Sequence, residues 1–299
     1  NGDFGSIPWH LIVVAASAAM LMFGVTKGIE KVNKVLMPAF FILFAVIAVR
    51  VAFLPGAEKG YEFLFVPDWS KLLEPNTWVM AMGQAFFSLS ITGSGMIVYG
   101  TYLAKSEDIP KASVRTAVFD TIAAMLAALA IMPAVFAFGI EPSSGPPLMF
   151  ITLPGIFKQM PFGRVFAVLF FVSVVFAGIT SLINMFEAVS ESWQTRFKLK
   201  RNTAILLCTA IAFIVGVFLE AEPKVGSWMD FITIIVVPFG AVLGAVSIYY
   251  ILGFDEIKKE LETGRDKPLG KYFKPIAKYI YVPLAVIVFV LGILYGGIG

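Results

Sequence analysis

The stretch GQAFFSLSITGSGMIVYGTYL (83–103) is apolar at both ends and interrupted in its middle by small and hydroxylated residues. It lies within an apolar run over 77–104, which is long enough to cross a hydrocarbon core of about 30 Å. The interruption consists of Ser90, Thr92, Gly93, Ser94 and Gly95. These residue types favour turns over helix interiors. The stretch therefore predicts two half-helices in place of one continuous membrane span.

A break at this depth has a cost that limits where it can lie. An unsatisfied backbone amide in hydrocarbon costs several kcal/mol, so irregular backbone survives only against protein or beside a watery cavity. Transporters place substrate and ion sites at such breaks. The alternative is a glycine-rich kink that only lets neighbouring helices pack closely. The hydroxyl groups in the interruption favour a site.

The composition of the whole chain indicates a helical membrane protein. Of 299 residues, 59% are hydrophobic and 14% are charged, with a mean hydropathy of +0.86. Soluble domains carry nearer 25% charged residues, so a water-soluble globular protein is excluded. Apolar runs between breakers predict about eight spans in an all-α polytopic protein, with 1–299 forming a single transmembrane domain. The predicted spans are 8–26, 34–54, 77–104, 112–139, 164–195, 202–220, 226–253 and 274–297.

The distribution of basic residues predicts the orientation. If the spans alternate in direction, most of the 23 lysines and arginines fall in loops on one side of the bilayer. The positive-inside rule makes those loops cytoplasmic and puts Asn1 and Gly299 on the outer face of the cell membrane. The charged loop over 254–273 predicts a short amphipathic helix around 254–263, and its charges are attributed to topology.

Some function classes are excluded by composition. A single cysteine, Cys208, excludes a disulfide framework, and a single histidine, His10, excludes histidine-clustered zinc chemistry. A net charge of +3 does not indicate a nucleic-acid partner. The partners we expect are the lipid bilayer and a small substrate.

The run over 164–195 carries a polar track through the predicted membrane. Thr180, Ser181, Asn184, Glu187 and Glu191 follow one another at spacings of three or four. These spacings set them along one helix face. A carboxylate in that position marks an ion or substrate pathway by default. The alternative is that Glu187 and Glu191 lie at the cytoplasmic mouth and are hydrated.

Two further acids lie in predicted spans. Asp120 stands among apolar residues in 112–139 and needs a cation or a hydrogen-bond donor. Hydroxyl, carboxylate and carbonyl oxygens suit an alkali or alkaline-earth cation, and sodium is the candidate. Asp230 lies at the outer end of its span, where it either guards an entrance or is an ordinary interfacial carboxylate.

Four segments in the right order resemble the neurotransmitter:sodium symporter family, of which LeuT-type bacterial amino-acid transporters are members. The stretch 83–103 resembles the unwound sixth helix of the family. FAGITS (176–181) resembles its sodium-binding segment in the eighth helix. TLPGIF (152–157) and VPDWSKL (66–72) resemble its outer-loop segments. The resemblance extends over essentially the whole chain.

The resemblance implies a LeuT-type inverted repeat of five plus five helices around a site at the bilayer midplane. It assigns 8–54 to the last two helices of the first repeat, 77–253 to the second repeat, and 274–297 to an extra C-terminal helix. The N-terminal helices of the first repeat are then missing from this sequence, and they are needed to complete the site.

The resemblance also implies roles for individual residues. A first sodium ion (Na⁺) would be bound by Ser88 and Asp120. A second would be bound by Ala177, Thr180 and Ser181. The substrate pocket would be lined by Phe87, Ser88, Ser90, Gly93, Ser181 and Met185. The gates would include Gln84, Tyr102, Asp230 and Glu187.

Three departures from the family pattern carry further expectations. Gly93 stands where a relative has a Phe, which would enlarge the pocket for a hydrophobic or aromatic amino acid. Asp120 would supply the negative charge that other members take from chloride, so chloride is not required. Thr195 stands where the family's inner gate has an Asp, so the charged pair of that gate is either absent or rebuilt with Glu187 or Glu191.

The resulting hypothesis is sodium-coupled symport of an amino acid by alternating access, with no organic cofactor and no enzymatic activity. An intramembrane enzyme is disfavoured because neither Asp120 nor Glu187 has a visible nucleophile partner. The alternatives are a non-transporting fragment, scaffold or degenerate subunit, and a LeuT-fold sodium:solute symporter of another family. The sequence leaves open whether the protein forms oligomers.

Overall fold

A computed structural model describes residues 5–23, 30–91, 95–139, 148–220 and 222–295. Within these ranges the chain is helical and contains no β-strand. The helices are α1 (Ile7–Met22), α2 (Lys31–Ala52), α3 (Ala57–Phe65), α4 (Pro75–Ser88), α5 (Gly95–Thr101), α6 (Ile109–Ala137), α7 (Leu153–Gln159), α8 (Gly163–Phe197), α9 (Arg201–Phe218), α10 (Glu222–Phe231), α11 (Val237–Val246), α12 (Phe254–Glu262), α13 (Phe273–Ile276) and α14 (Val282–Tyr295). The predicted all-α class is confirmed.

Six helical stretches in the described residues are long and apolar enough to cross a membrane. They are Asn33–Ala52, Ile109–Ala137, Gly163–Phe197, Arg201–Phe218, Lys224–Leu252 and Phe273–Tyr295. The last two contain π-helical turns at Ile232–Val236, Ser247–Leu252 and Ala277–Tyr281. The other two predicted spans correspond to α1, which has 16 residues, and to the pair α4 and α5. The protein is a multi-pass membrane protein, although the count of eight spans stays a prediction.

The predicted discontinuity in 77–104 is confirmed. Helix α4 ends at Ser88, and the next turn closes with a hydrogen bond of 3.0 Å from the amide of Ile91 to the carbonyl of Phe86. Ser90 adopts a positive φ of 54°, which a non-glycine residue rarely does. The helix resumes as α5 at Gly95. Thr92, Gly93 and Ser94 lie outside the described residues.

The chain divides into two compact units. The first consists of Asn1–Ala15, Ser70–Val118 and Met185–Gly299, and the second of Ala16–Trp69 and Phe119–Asn184. In the first unit, α4 packs on α14 through a core that includes Val79, Phe86, Ala285 and Val288. In the second unit, a core that includes Ile47, Val51, Val135, Ile156 and Phe170 joins α2, α6, α7 and α8.

The loops over 55–76 and 139–163 contain the short helices α3 and α7. Helix α3 follows Gly56, whose φ of 85° allows the chain to turn after α2. At Gly60 a side-chain Cβ would lie 2.4 Å from the Cα of Pro133, so only glycine fits between α3 and α6. Helix α7 buries Leu153, Ile156 and Phe157 in the core of the second unit.

Candidate functional site

The deepest charged group among the described residues is the carboxylate of Glu187 on α8, which is fully buried. Arg201 binds it with both ends of its guanidinium group. Nη1 lies 2.9 Å from Oε1, and Nη2 lies 2.7 Å from Oε2. Such two-bond pairing is among the strong forms of hydrogen bonding in proteins. The hydroxyl of Tyr102 donates a third hydrogen bond, of 2.6 Å, to Oε1.

The turn between α8 and α9 brings the two charges together. Helix α8 ends at Phe197, Lys198 takes a positive φ of 56°, and α9 begins at Arg201. A cation at a helix N-terminus is disfavoured by the helix dipole. The ion pair with Glu187 offsets that penalty, so the position of Arg201 is explained by its partner on α8.

Tyr102 connects this pair to the broken helix. It directly follows α5, the half-helix after the break, and its amide bonds to the carbonyl of Tyr99 at 3.1 Å. The rings of Tyr99 and Tyr102 meet edge to face with centroids 6.0 Å apart. The hydrogen bond from the Tyr102 hydroxyl to the buried Glu187 carboxylate therefore joins the end of α5 to α8, and through Arg201 to α9.

A second carboxylate lies next to this group. Glu191 Oε2 is 3.5 Å from the hydroxyl of Tyr102 and accepts a hydrogen bond of 3.2 Å from Gln194. Thr195 donates a hydrogen bond of 3.4 Å to the other oxygen of Glu191. Glu191 and Thr195 also line a cavity of about 620 Å³ that opens beside α5.

The alternative reading of Glu187 as a hydrated residue is wrong, because its side chain has no exposed surface. Glu187 and Tyr102 were predicted from the sequence as gate residues, whereas Arg201 was not and was treated as a basic loop residue. The sequence does contain an indication of its role. Arg201 follows the short polar segment after the predicted span 164–195, which is where a tight helical hairpin would bring the chain back towards Glu187.

The residues predicted for the second sodium ion lie on one stretch of α8. The hydroxyl of Thr180 is buried and donates a hydrogen bond of 2.9 Å to the carbonyl of Ala177. Ser181 is exposed. Two of the three predicted ligand oxygens are thus neighbours, and the site stays a prediction. For the first sodium ion, Ser88 belongs to the first unit and Asp120 to the second, so this site is also a prediction.

The predicted substrate residues are placed as follows. Phe87, Ser90 and Met185 are exposed, and Ser88 is half-buried. Gly93 lies outside the described residues. Ser90 borders a cavity of about 350 Å³ that is also lined by Met96, Gly244 and Tyr249. Of the predicted gate residues, Gln84 and Asp230 are exposed, whereas Tyr102 and Glu187 are in direct contact.

A family model described as the sodium:neurotransmitter symporter family matches residues 2–296. The chain belongs to this family. A solved structure, the crystal structure of MhsT in complex with L-phenylalanine, superimposes with a TM-score of 0.83 at 31% sequence identity. The match covers 96% of this chain and 67% of that one, and it confirms the LeuT-type fold.

Relatives in this symporter family span bacteria and animals. An uncharacterized sodium-dependent transporter of Bacillus subtilis, YhdH, is 34% identical over 95% of this chain and 66% of its own length. A second, from Haemophilus influenzae, is 32% identical over 96% of this chain and 65% of its own length. The creatine transporter of Torpedo marmorata is 27% identical over 74% of this chain and 39% of its own length. The chain spans about two thirds of the length of the bacterial relatives.

Proposed function

We propose that the full protein imports an amino acid by coupling its uptake to sodium entry, through alternating access at the broken helix. The observation that carries this proposal is the contact of Tyr102 with Glu187. It fixes the half-helix α5 to a buried ion pair, and its release would free that half-helix to move. Alternating access requires an element with two discrete arrangements, and α5 would be that element.

The coupling follows from linkage. If sodium and substrate both bind one conformation better, each raises the affinity for the other by the same factor. The proposed sodium ligands are Ser88, Asp120, Ala177, Thr180 and Ser181. Several of these offer the hydroxyl, carboxylate or carbonyl oxygens that a hard cation prefers.

The proposed substrate is a hydrophobic or aromatic amino acid. A relative with 31% identity has been solved with L-phenylalanine, which supports this class. The residues proposed to surround it are Phe87, Ser88, Ser90, Gly93, Ser181 and Met185. Glycine at position 93 would leave room for a large side chain.

Membrane topology and the repeat are parts of the same proposal. Residues 77–253 would form the second repeat, 8–54 the end of the first, and 274–297 an added helix. Segments of the full protein outside this sequence would complete the substrate site. The basic loops would face the cytoplasm, and both ends of this sequence would lie on the outer side of the cell membrane.

The test is sodium-dependent binding of L-phenylalanine to the full native product in liposomes. We expect binding that rises with sodium and is lost in Ser181→Leu, because the larger apolar side chain would displace a ligand hydroxyl. The matched control is Ser113→Leu, which changes an exposed serine on α6 and should bind normally. Normal binding by Ser181→Leu would place the site elsewhere, and a complete product with no sodium effect would favour a scaffold.

A further inference from the structure

Three lysines cluster where the last helical stretch begins. Lys274 and Lys278 are one turn apart, in α13 and in the π-helical turn Ala277–Tyr281, so they share a face. Lys271 lies in the turn just before α13. Lys271 and Lys274 are exposed, and Lys278 is half-buried. We call these residues the lysine cluster.

Each ammonium group of the lysine cluster lies over an aromatic ring. Lys278 Nζ is 4.6 Å from the ring centre of Tyr250, and Lys274 Nζ is 5.2 Å from that of Phe254. Lys271 Nζ is 5.0 Å from the ring centre of its neighbour Tyr272. Contacts of this kind stabilise a cation by about 0.5–1 kcal/mol at exposed sites. The hydroxyl of Tyr250 also donates a hydrogen bond of 2.8 Å to the carbonyl of Lys278.

The charge of the lysine cluster is not neutralised by the described part of the chain. Among the residues that the structure describes, ion pairs join Glu30 to Lys34, Glu74 to Lys71, Glu187 to Arg201 and Asp108 to Arg265. None of them includes a member of the lysine cluster. The aromatic faces orient the ammonium groups but leave their positive charge available to an anion.

The surface around the lysine cluster suits the boundary between lipid and water. Tyr272 and Tyr279 are exposed, as are Ile276 and Ile280 on the same helical stretch. Tyrosines are enriched at this boundary, because the ring is apolar and the hydroxyl is polar. Lysines near the end of a span extend their ammonium groups to the level of the lipid head groups.

We propose that the lysine cluster binds the phosphate of an anionic phospholipid head group. The positive-inside rule accounts for positive charge in this region, because it requires only that cations lie on one side of the bilayer. It does not place each ammonium group over an aromatic ring. The exposed isoleucines favour a lipid over free inorganic phosphate, because an acyl chain would cover their apolar surface and a free ion would leave it in water.

The test uses the full native product, with bound lipid counted by native mass spectrometry. The probes are dioleoylphosphatidylglycerol, which is anionic, and dioleoylphosphatidylcholine, which is zwitterionic. We expect preferential binding of the anionic lipid, weakened about fivefold for each lysine changed to glutamine at positions 271, 274 and 278. Lysine-to-arginine variants at the same positions should bind as the unchanged protein does.

The matched control changes three exposed lysines nearby, at positions 258, 259 and 267, to glutamine. It removes the same charge but no lysine that lies over a ring, so its anionic-lipid binding should fall much less. If the triple variant does not fold, Lys274→Gln alone serves the same comparison. The proposal would be overturned if the lysine-cluster variant and the control variant lost anionic-lipid binding equally. It would also be overturned by equal binding of both lipids, or by displacement of the lipid by an equal concentration of inorganic phosphate.

Discussion

The carboxylate of Glu187 and the guanidinium of Arg201 form an ion pair with two hydrogen bonds across the hairpin of α8 and α9. Removing two charges from water costs several kcal/mol each, so such a pair is weak support for stability by itself. Here the ion pair also positions the Glu187 carboxylate to accept a further hydrogen bond. The third hydrogen bond comes from Tyr102, at the end of the half-helix that follows the break. We therefore interpret the pair as an anchor for a movable element.

Arg201→Ala should destabilise the protein strongly, because it leaves the carboxylate of Glu187 buried without its counter-charge. Breaking one side of a buried pair costs about 3–5 kcal/mol. The double variant Glu187→Met with Arg201→Met should recover much of that loss, since no charge is left unpaired. Reversible unfolding in sodium dodecyl sulfate, followed by circular dichroism, measures both changes.

The control for this prediction is Arg196→Ala, which removes an exposed cation from the same hairpin. It should change the free energy of unfolding by less than about 1 kcal/mol. If Arg201→Ala were no more destabilising than Arg196→Ala, the anchoring role of the pair would be wrong.

Tyr102→Phe should loosen α5 without removing the aromatic ring. Hydrogen bonds to charged groups contribute about 1.5–3 kcal/mol, so loss of the bond to Glu187 should raise the population in which α5 is released about tenfold or more. The readout is the labelling rate of Val98→Cys by a maleimide, in a Cys208→Ala background. Val98 is buried on α5, so the labelling rate of a cysteine there should rise when that half-helix moves. Tyr279→Phe, at an exposed position, should leave the rate unchanged, and the idea fails if both variants label alike.

Gly60→Ala should destabilise the second unit. The added methyl group would meet backbone atoms of Pro133, which cannot rotate away as a side chain can. Overpacking of this kind costs about 1–3 kcal/mol or more. Gly155→Ala is the matched control on α7, where a Cβ meets nothing within 4 Å. It should be neutral or stabilise by up to about 1 kcal/mol. Thermal unfolding of both variants measures the difference. Similar unfolding midpoints for Gly60→Ala and Gly155→Ala would contradict the close approach of Gly60 to Pro133.

The broken helix was predictable because its cause is local. Serine, threonine and glycine compete with helix formation through their own side chains or their backbone freedom, so the interruption near Ser90 is visible in the sequence. The amphipathic helix around 254–263 was predictable for a similar reason and is observed as α12. The acidic residue Glu187 was found because a carboxylate within an apolar run is costly without a partner.

The partner of Glu187 was not predictable in the same way. Arg201 is adjacent to Glu187 only because the turn at Lys198 reverses the chain, and that geometry depends on tertiary packing. The contact between Gly60 and Pro133 is likewise a meeting of two distant segments. No regular spacing in the sequence predicts either of these two contacts. Local patterns therefore located the candidate residues, whereas the pairing of charges required the folded structure.

Asp120→Asn should make transport depend on chloride. In our proposal Asp120 supplies a fixed negative charge beside the first sodium ion. Two unit charges about 4 Å apart interact by about 4 kcal/mol at an effective dielectric constant of 20. Neutralising this residue should therefore lower sodium affinity about tenfold or more in chloride-free buffer, with recovery when chloride is added. Sodium titration of L-phenylalanine binding in gluconate and chloride buffers measures this, with Asp255→Asn on the exposed surface of α12 as the control. Full sodium affinity of Asp120→Asn without chloride would show that this carboxylate does not replace the anion.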